Sequence, residues 1–232
     1  MNTLNIQNTP DGGAVNAVIY GTPGIGKTTL AASIPSALIV DTEAGARFTS
    51  ARRVTAARLE TVQAAIDYAR DTANSVTSLV MDTVDMIWRM AERDLCAANG
   101  WPDLSAAGYG AGYAQCAAAV QNVLRDARRL TRRGVHVIYV SHAQSGGLGT
   151  PDTSGILVPR LAGAPAKQAE QINYELVALA DAVGYVTRVG DALYVDWTGQ
   201  AGALGKARAW QPGRDTAEEF VKHFSTQNNK NN

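Results

Sequence analysis

Short unbroken apolar runs alternate along this chain with stretches whose apolar residues recur every three to four positions. The runs Val15–Tyr20, Leu38–Asp41, Ser78–Asp82 and Val135–Ser141 are rich in aliphatic and β-branched residues, with few polar interruptions. A strand covered on one face alternates, whereas a strand covered on both reads as nearly continuous, so these four are expected in a mostly parallel sheet between layers of helix. Between the runs, Val62, Ala65, Ile66 and Ala69 fall at i, i+3, i+4 and i+7, the spacing of one helix face. Cys116, Ala119, Val120, Val123, Leu124, Ala127 and Leu130 mark a second such face that ends near Gly134. Thr28–Ser33, Thr83–Ala98 and Thr216–Phe224 complete the predicted helices. Strand and helix in alternation predict a doubly wound α/β sheet. The last third differs: Val183–Val189 and Ala192–Trp197 flank Gly190-Asp191, a two-residue turn signal, and predict an antiparallel hairpin extending the sheet edge.

Asn99–Gly112 and Ala143–Gly155 fit neither pattern and are rich in small or turn-forming residues, as long loops at functional edges often are. No linker divides the chain, so residues 1–225 are expected to form one domain, with 226–232 a disordered polar tail. The 232 residues are 46% hydrophobic, enough for a sizeable core and against general disorder. Formal net charge is zero, so any nucleic-acid contact must come from a local patch. Cys96 and Cys116 lack metal-ligand spacing and suit small buried positions in a reducing compartment. No apolar run has the length of a membrane span and no secretory signal opens the chain, so a cytoplasmic protein is expected.

The chemistry concentrates in Gly21-Thr22-Pro23-Gly24-Ile25-Gly26-Lys27-Thr28-Thr29, directly after the first apolar run. This is the pattern G-x-x-x-x-G-K-[ST] between a strand and a helix start. Glycines let the backbone turn its N–H groups toward a phosphate chain, Lys27 reaches the outer phosphates, and the Thr28 hydroxyl suits Mg²⁺. Asp82, closing an apolar strand, is the acid expected on the metal side of such a site; Asp85, one helix step on, reads as a helix-start charge. Glu43, after Ile39-Val40-Asp41-Thr42, suits a base for the attacking water and equally an ordinary strand-to-loop junction. Ser141 and His142 end the fourth run, where either could sense a terminal phosphate or belong to a loop. Lys206 and Arg208, two apart, would share a strand face and stabilise phosphoryl charge, on a neighbouring subunit included, or else protect an edge strand. Arg125, Arg128, Arg129 and Arg132 form a basic helix stripe, either solvated or in contact with phosphates.

In order, GTPGIGKTT, IVDTEAG, LVMDT, VIYVSH and GKAR resemble the RecA/RadA recombinase core, and most closely the compact phage-encoded RecA-core ATPases of the single-strand annealing (Sak-four type) group. The resemblance spans roughly residues 15 to 210 and implies a RecA-like sheet that binds ATP and Mg²⁺. It implies Lys27 and Thr28 on phosphates and metal, Asp82 as the metal-side acid, Glu43 as general base and His142 as γ-phosphate sensor. Lys206 and Arg208 match a Lys-x-Arg pair that reaches across a subunit interface, which implies a homo-oligomer, ring or filament. Ala143–Gly155 falls at the second DNA-binding loop. Partners implied are single-stranded DNA and a single-stranded-DNA-binding protein, in the cytoplasm of a bacterial host. Ala44 intervenes before Gly45 where relatives read Asp-Thr-Glu-Gly, and neither the usual recombinase N-terminal domain nor a polymerisation motif is visible. A nucleotide-switched loader or adaptor in DNA replication, whose output is protein binding, is the alternative. A nucleoside or nucleotide kinase is disfavoured because Ala143–Gly155 has no lid arginine.

Overall fold

Strand β1 (Asn16–Gly21) is buried along its whole length and sits near the middle of a ten-stranded sheet. The computed structural model describes residues 13–145, 157–161, 163–200 and 202–225; the predicted tail 226–232 and most of the loop Ala143–Gly155 lie outside the described residues. With β2 (Ala37–Asp41), β3 (Arg52–Thr55), β4 (Ser78–Asp82), β5 (His136–Ser145) and β7 (Ala182–Val189), β1 forms a parallel block in the order β7-β1-β5-β4-β2-β3. The remaining strands are antiparallel: β8 (Ala192–Asp196) and β10 (Arg214–Thr216) extend the β7 edge, β6 (Leu157–Pro159) pairs with the far end of β5, and β9 (Lys206–Ala207) pairs with β7. This is the predicted mostly parallel, RecA-like α/β sheet with its C-terminal hairpin.

The continuous apolar runs have the predicted cause, since both sheet faces are covered. One face packs against α2 (Leu59–Arg70), α3 (Ile87–Asn99), α4 (Ala111–Arg128) and α5 (Ala166–Leu179), through Ile66, Trp88, Val120 and Ile172 among others. The other packs against α1 (Lys27–Ala32) and α6 (Ala217–Phe224), through Leu30, Trp197, Phe220 and Phe224. Trp197 packs against β7, where Gly184 leaves room: a Cβ there would stand 2.6 Å from the indole. Thr216 caps α6 by a reciprocal pair, accepting from the Glu219 N–H while the Glu219 carboxylate accepts from the Thr216 N–H.

Register decides which residues meet at the carboxyl edge of the block. β5 lies between β1 and β4, so Gly21 pairs with His142 and Asp82 pairs with both Val140 and Asp41. The phosphate loop, the acidic strand ends of β2 and β4 and the polar end of β5 therefore share one rim, the usual place for ligands in an open α/β sheet.

Candidate nucleotide site

Within the phosphate loop, Gly24 and Gly26 adopt left-handed backbone (φ +76° and +113°), and a Cβ on Gly26 would come within 2.9 Å of Leu193. Lys27 opens α1 directly after this turn. Its side chain folds back over the loop, and Nζ donates to the carbonyls of Gly21 and Thr22, each at 3.0 Å. Burial pulls the ammonium below the ordinary lysine range, against the upward pull of Asp82, Asp85 and Glu43. Asp82 is buried as well, and desolvation raises its carboxyl, with the neighbouring Thr28 side chain pulling the other way.

Gly24, Gly26, Lys27, Thr28, Thr29, Glu43, Asp82 and His142 all line one cavity of 280 Å³. Residues from four separate stretches of sequence thus meet around a space of ligand size. Gly21, Thr22, Pro23 and Ile25 do not line it; they build the turn, with Gly21 against the Val186 carbonyl and Ile25 packed on the core under α1. The cavity also holds an orphan: the Thr83 hydroxyl is buried without a hydrogen-bond partner. An unpaired buried hydroxyl in a polar cavity suits a bound phosphate or water.

The donor set fits a divalent cation only jointly with a nucleotide. No cluster of three or more His, Cys, Asp or Glu suited to a metal occurs among the described residues. Asp82 and Thr28 supply two neighbouring oxygens, and Mg²⁺ commonly completes its shell with waters and substrate phosphates. The acids lining the cavity, Asp41, Glu43 and Asp82, outnumber its one lysine, which leaves room for added positive charge.

Two acids that local sequence rules pass over organise the rim. Asp41, 1% exposed, accepts backbone N–H groups from Glu43 (3.3 Å), Gly45 (3.0 Å) and Ala46 (3.0 Å), folding the turn that carries Glu43 around one carboxylate. Ala44 within that turn has φ +59°, so the residue that departs from the family pattern takes the strained position. Thr42 Oγ1 donates to the Thr83 carbonyl and accepts the Thr83 N–H, tying the β2 and β4 loops together. Asp85, expected as a helix-start charge, is instead fully buried, because Ser141 and His142 of β5 and Arg160 beyond β6 surround its carboxylate. Ser141 is therefore not a phosphate sensor: it is fully buried and its hydroxyl is 2.8 Å from Asp85. His142 does reach the cavity, its Nδ1 held 2.6 Å from Asp85 Oδ2.

Lys206 and Arg208 are not brought to this chain's own cavity. Lys206 pairs with Val183, which pairs with Val18, well toward the amino end of the parallel strands. Its Nζ donates to the carbonyls of Val177 (3.0 Å) and Ala178 (3.1 Å), the last turn of α5, where a cation complements the helix end. The expected shared strand face is absent, since β9 ends at Ala207 and the Arg208 N–H bonds the Asp181 carbonyl. The arginine stripe lines a larger cavity of 380 Å³ between α4 and α5, where Arg129 pairs with Asp126 and Arg125 with Asn122. Size does not make that cavity the nucleotide site, because none of the phosphate-loop residues reaches it. Tyr109, in the segment Asn99–Gly112, is fully exposed.

A glycine loop with its lysine, a buried acid closing a neighbouring strand, and a β5 inserted between those two strands define a P-loop nucleoside triphosphatase of RecA-like fold. The chain belongs to the AAA-domain family, whose model matches residues 14–220, nearly all of the described structure. No curated protein matches the chain. No helix among the described residues is long and apolar enough to cross a membrane.

Proposed function

We propose that the protein is a Mg²⁺-dependent ATPase acting on single-stranded DNA in phage recombination or annealing, in the manner of the Sak-four type group. The observation that carries the reading is the route of β5. It leaves the cavity at His142, continues through Ala143–Ser145, and pairs there with β6, so the strands flanking residues 146–156 are rooted at the nucleotide site.

In this reading Lys27 holds the outer phosphates and Thr28 and Asp82 hold Mg²⁺, which when bound supplies positive charge to the phosphate oxygens. Glu43, exposed on the cavity wall, takes the proton of the attacking water. His142 Nδ1 is committed to Asp85, so the opposite ring nitrogen is the one left for the terminal phosphate. The Ala143–Gly155 segment contacts DNA, and exposed Tyr109 offers a ring on which a base can stack. Lys206 and Arg208 act, in this scheme, on the nucleotide of a neighbouring copy in a ring or filament, and a single-stranded-DNA-binding protein is a natural companion.

ATP turnover with and without single-stranded DNA tests the proposal, together with a salt titration of DNA binding in the presence of a non-hydrolysed ATP analogue. Turnover should rise with DNA, and log affinity should fall with log salt by about 0.7 per phosphate neutralised. Absence of binding at low salt with analogue present would overturn the DNA reading. The zero net charge keeps one alternative in view, a nucleotide-switched loader or adaptor, whose turnover would respond to a protein partner instead.

A further inference from the structure

Arg160 directly follows β6, and its side chain joins the polar cluster behind His142. Its backbone N–H donates to Ser141 Oγ at 2.9 Å, and its Nη2 stands 3.4 Å from Asp85 Oδ2. The same Asp85 oxygen receives the His142 N–H at 3.1 Å and faces the His142 ring at 2.6 Å. One fully buried carboxylate thus joins a cavity-lining histidine to an arginine 75 positions away from it in sequence. A buried carboxylate needs such partners, which explains why Asp85 tolerates the interior.

The arginine is not equally satisfied. Its Nε–H is buried and without a partner, although the side chain as a whole is 41% exposed. A planar guanidinium with a free Nε–H beside Nη is built for a two-oxygen anion. The Arg160 charge is felt at the Lys27 ammonium, where it opposes the pull of the acids around it.

We propose that Arg160 contacts the terminal phosphate of a nucleoside triphosphate bound at Lys27, as an arginine supplied in cis, and that Asp85 is the positioning residue that preorganises it together with His142. The inference rests on the reading of the Lys27 cavity as a triphosphate site. The diphosphate lacks the group Arg160 reaches, so the contact discriminates between the two nucleotides.

The experiment measures dissociation constants for Mg²⁺·ATPγS and Mg²⁺·ADP by displacement of a fluorescent nucleotide, with thermal melting of each variant alongside. Arg160→Ala should weaken ATPγS by about tenfold or more, the worth of one charge-assisted bond, and leave ADP within about twofold. Arg160→Lys should recover part of the lost preference, because charge returns without the fork. Asp85→Asn should lower the same preference, although removing a negative charge alone would raise it. Combining Asp85→Asn with Arg160→Ala should add little to Arg160→Ala. Equal losses for both nucleotides in Arg160→Ala, or no loss, overturn the contact. Full additivity in the double variant overturns the positioning role of Asp85. Should Asp85→Asn fail to fold, the half-exposed Arg160 still decides the contact. A wild-type protein that binds neither nucleotide refutes the triphosphate site itself, a result distinct from loss of discrimination.

Discussion

Asp41→Asn separates the positioning of Glu43 from nucleotide binding. The wild-type carboxylate accepts three backbone N–H groups, two at Oδ1 from Glu43 and Gly45 and one at Oδ2 from Ala46. Asparagine has nearly the same shape but only one accepting oxygen. With that oxygen facing Glu43 and Gly45, the new NH₂ confronts the Ala46 N–H, donor against donor; the flipped amide abandons two bonds instead of one. Ala46 is fully buried, so no water takes over. Loss of a charge-assisted bond to a buried donor is worth about 2–3 kcal/mol. A urea titration should show a loss of that size with an unchanged m-value. The turn then loses its fixed centre at the point where Ala44 already occupies left-handed backbone. Misplacement of a catalytic group by about 1 Å costs on the order of 10²-fold in rate, so kcat should fall by about that factor. Lys27 and Thr28 stand on α1 rather than on this turn, so nucleotide affinity should stay within about twofold of wild type. Wild-type stability in Asp41→Asn would show that the three bonds carry no net weight. Loss of stability with wild-type turnover would detach Glu43 from the chemistry.

Lys27→Ala should weaken ATP binding by about 10- to 100-fold, the range of a lost charge-assisted phosphate contact, as read by equilibrium displacement. Glu43→Gln should bind ATP normally and lose about 10²- to 10⁴-fold in kcat, and wild-type turnover would remove it as base. His136 gives a pH prediction: its Nδ1 accepts the Val15 N–H at 3.1 Å, and burial pushes its pKa down to about 4 from 6.5. The unfolded chain therefore binds the proton more readily, so stability is fully present above pH 6.5 and drains as pH falls toward 4, by up to about 3 kcal/mol. Chemical denaturation across that window should show the slope in wild type and lose most of it in His136→Gln. Arg208→Ala should bind ATP yet turn it over slowly, and mixing it with Lys27→Ala should restore activity if Arg208 serves a neighbour; no rescue in mixtures shown to co-assemble would refute that role.

What the sequence disclosed followed from local rules. Continuous apolar runs marked β1, β2, β4 and most of β5 to within a residue or two at their starts, because strands buried on both faces have no polar positions to hide them. Gly190-Asp191 marked the β7–β8 hairpin because a two-residue loop must adopt a special turn, and Gly190 does so at φ +58°. β3 escaped notice since it is an edge strand reading Arg-Arg-Val-Thr, largely exposed. The two residues of β9 and three of β10 are too short for periodicity to register. α5 was missed because its buried positions, Ile172, Asn173, Leu176 and Val177, include a polar residue that breaks the apolar stripe.

At the rim the same distinction separates Asp82 from Asp85. Asp82 is legible because it closes a continuous apolar strand of the same parallel block, whose carboxyl ends share the rim with the phosphate loop. Asp85 lies three residues further on, in a turn where an acid ordinarily faces solvent and a helix end. What overrides that reading is distant: Ser141 and His142 at the end of β5 and Arg160 after β6 converge on its carboxylate only once the β5–β6 pairing exists. Lys206 shows the converse, a motif whose two cations suggest a phosphate partner, while in the chain's own fold the first caps α5. Buried charge is placed by its counter-charges, and those are fixed by topology. A single sequence therefore predicts where an anion or cation can start from, but not which partner will claim it. That is why the unclaimed Nε–H of Arg160 carries more information about ligand chemistry than any of the five arginines clustered between Arg125 and Arg133.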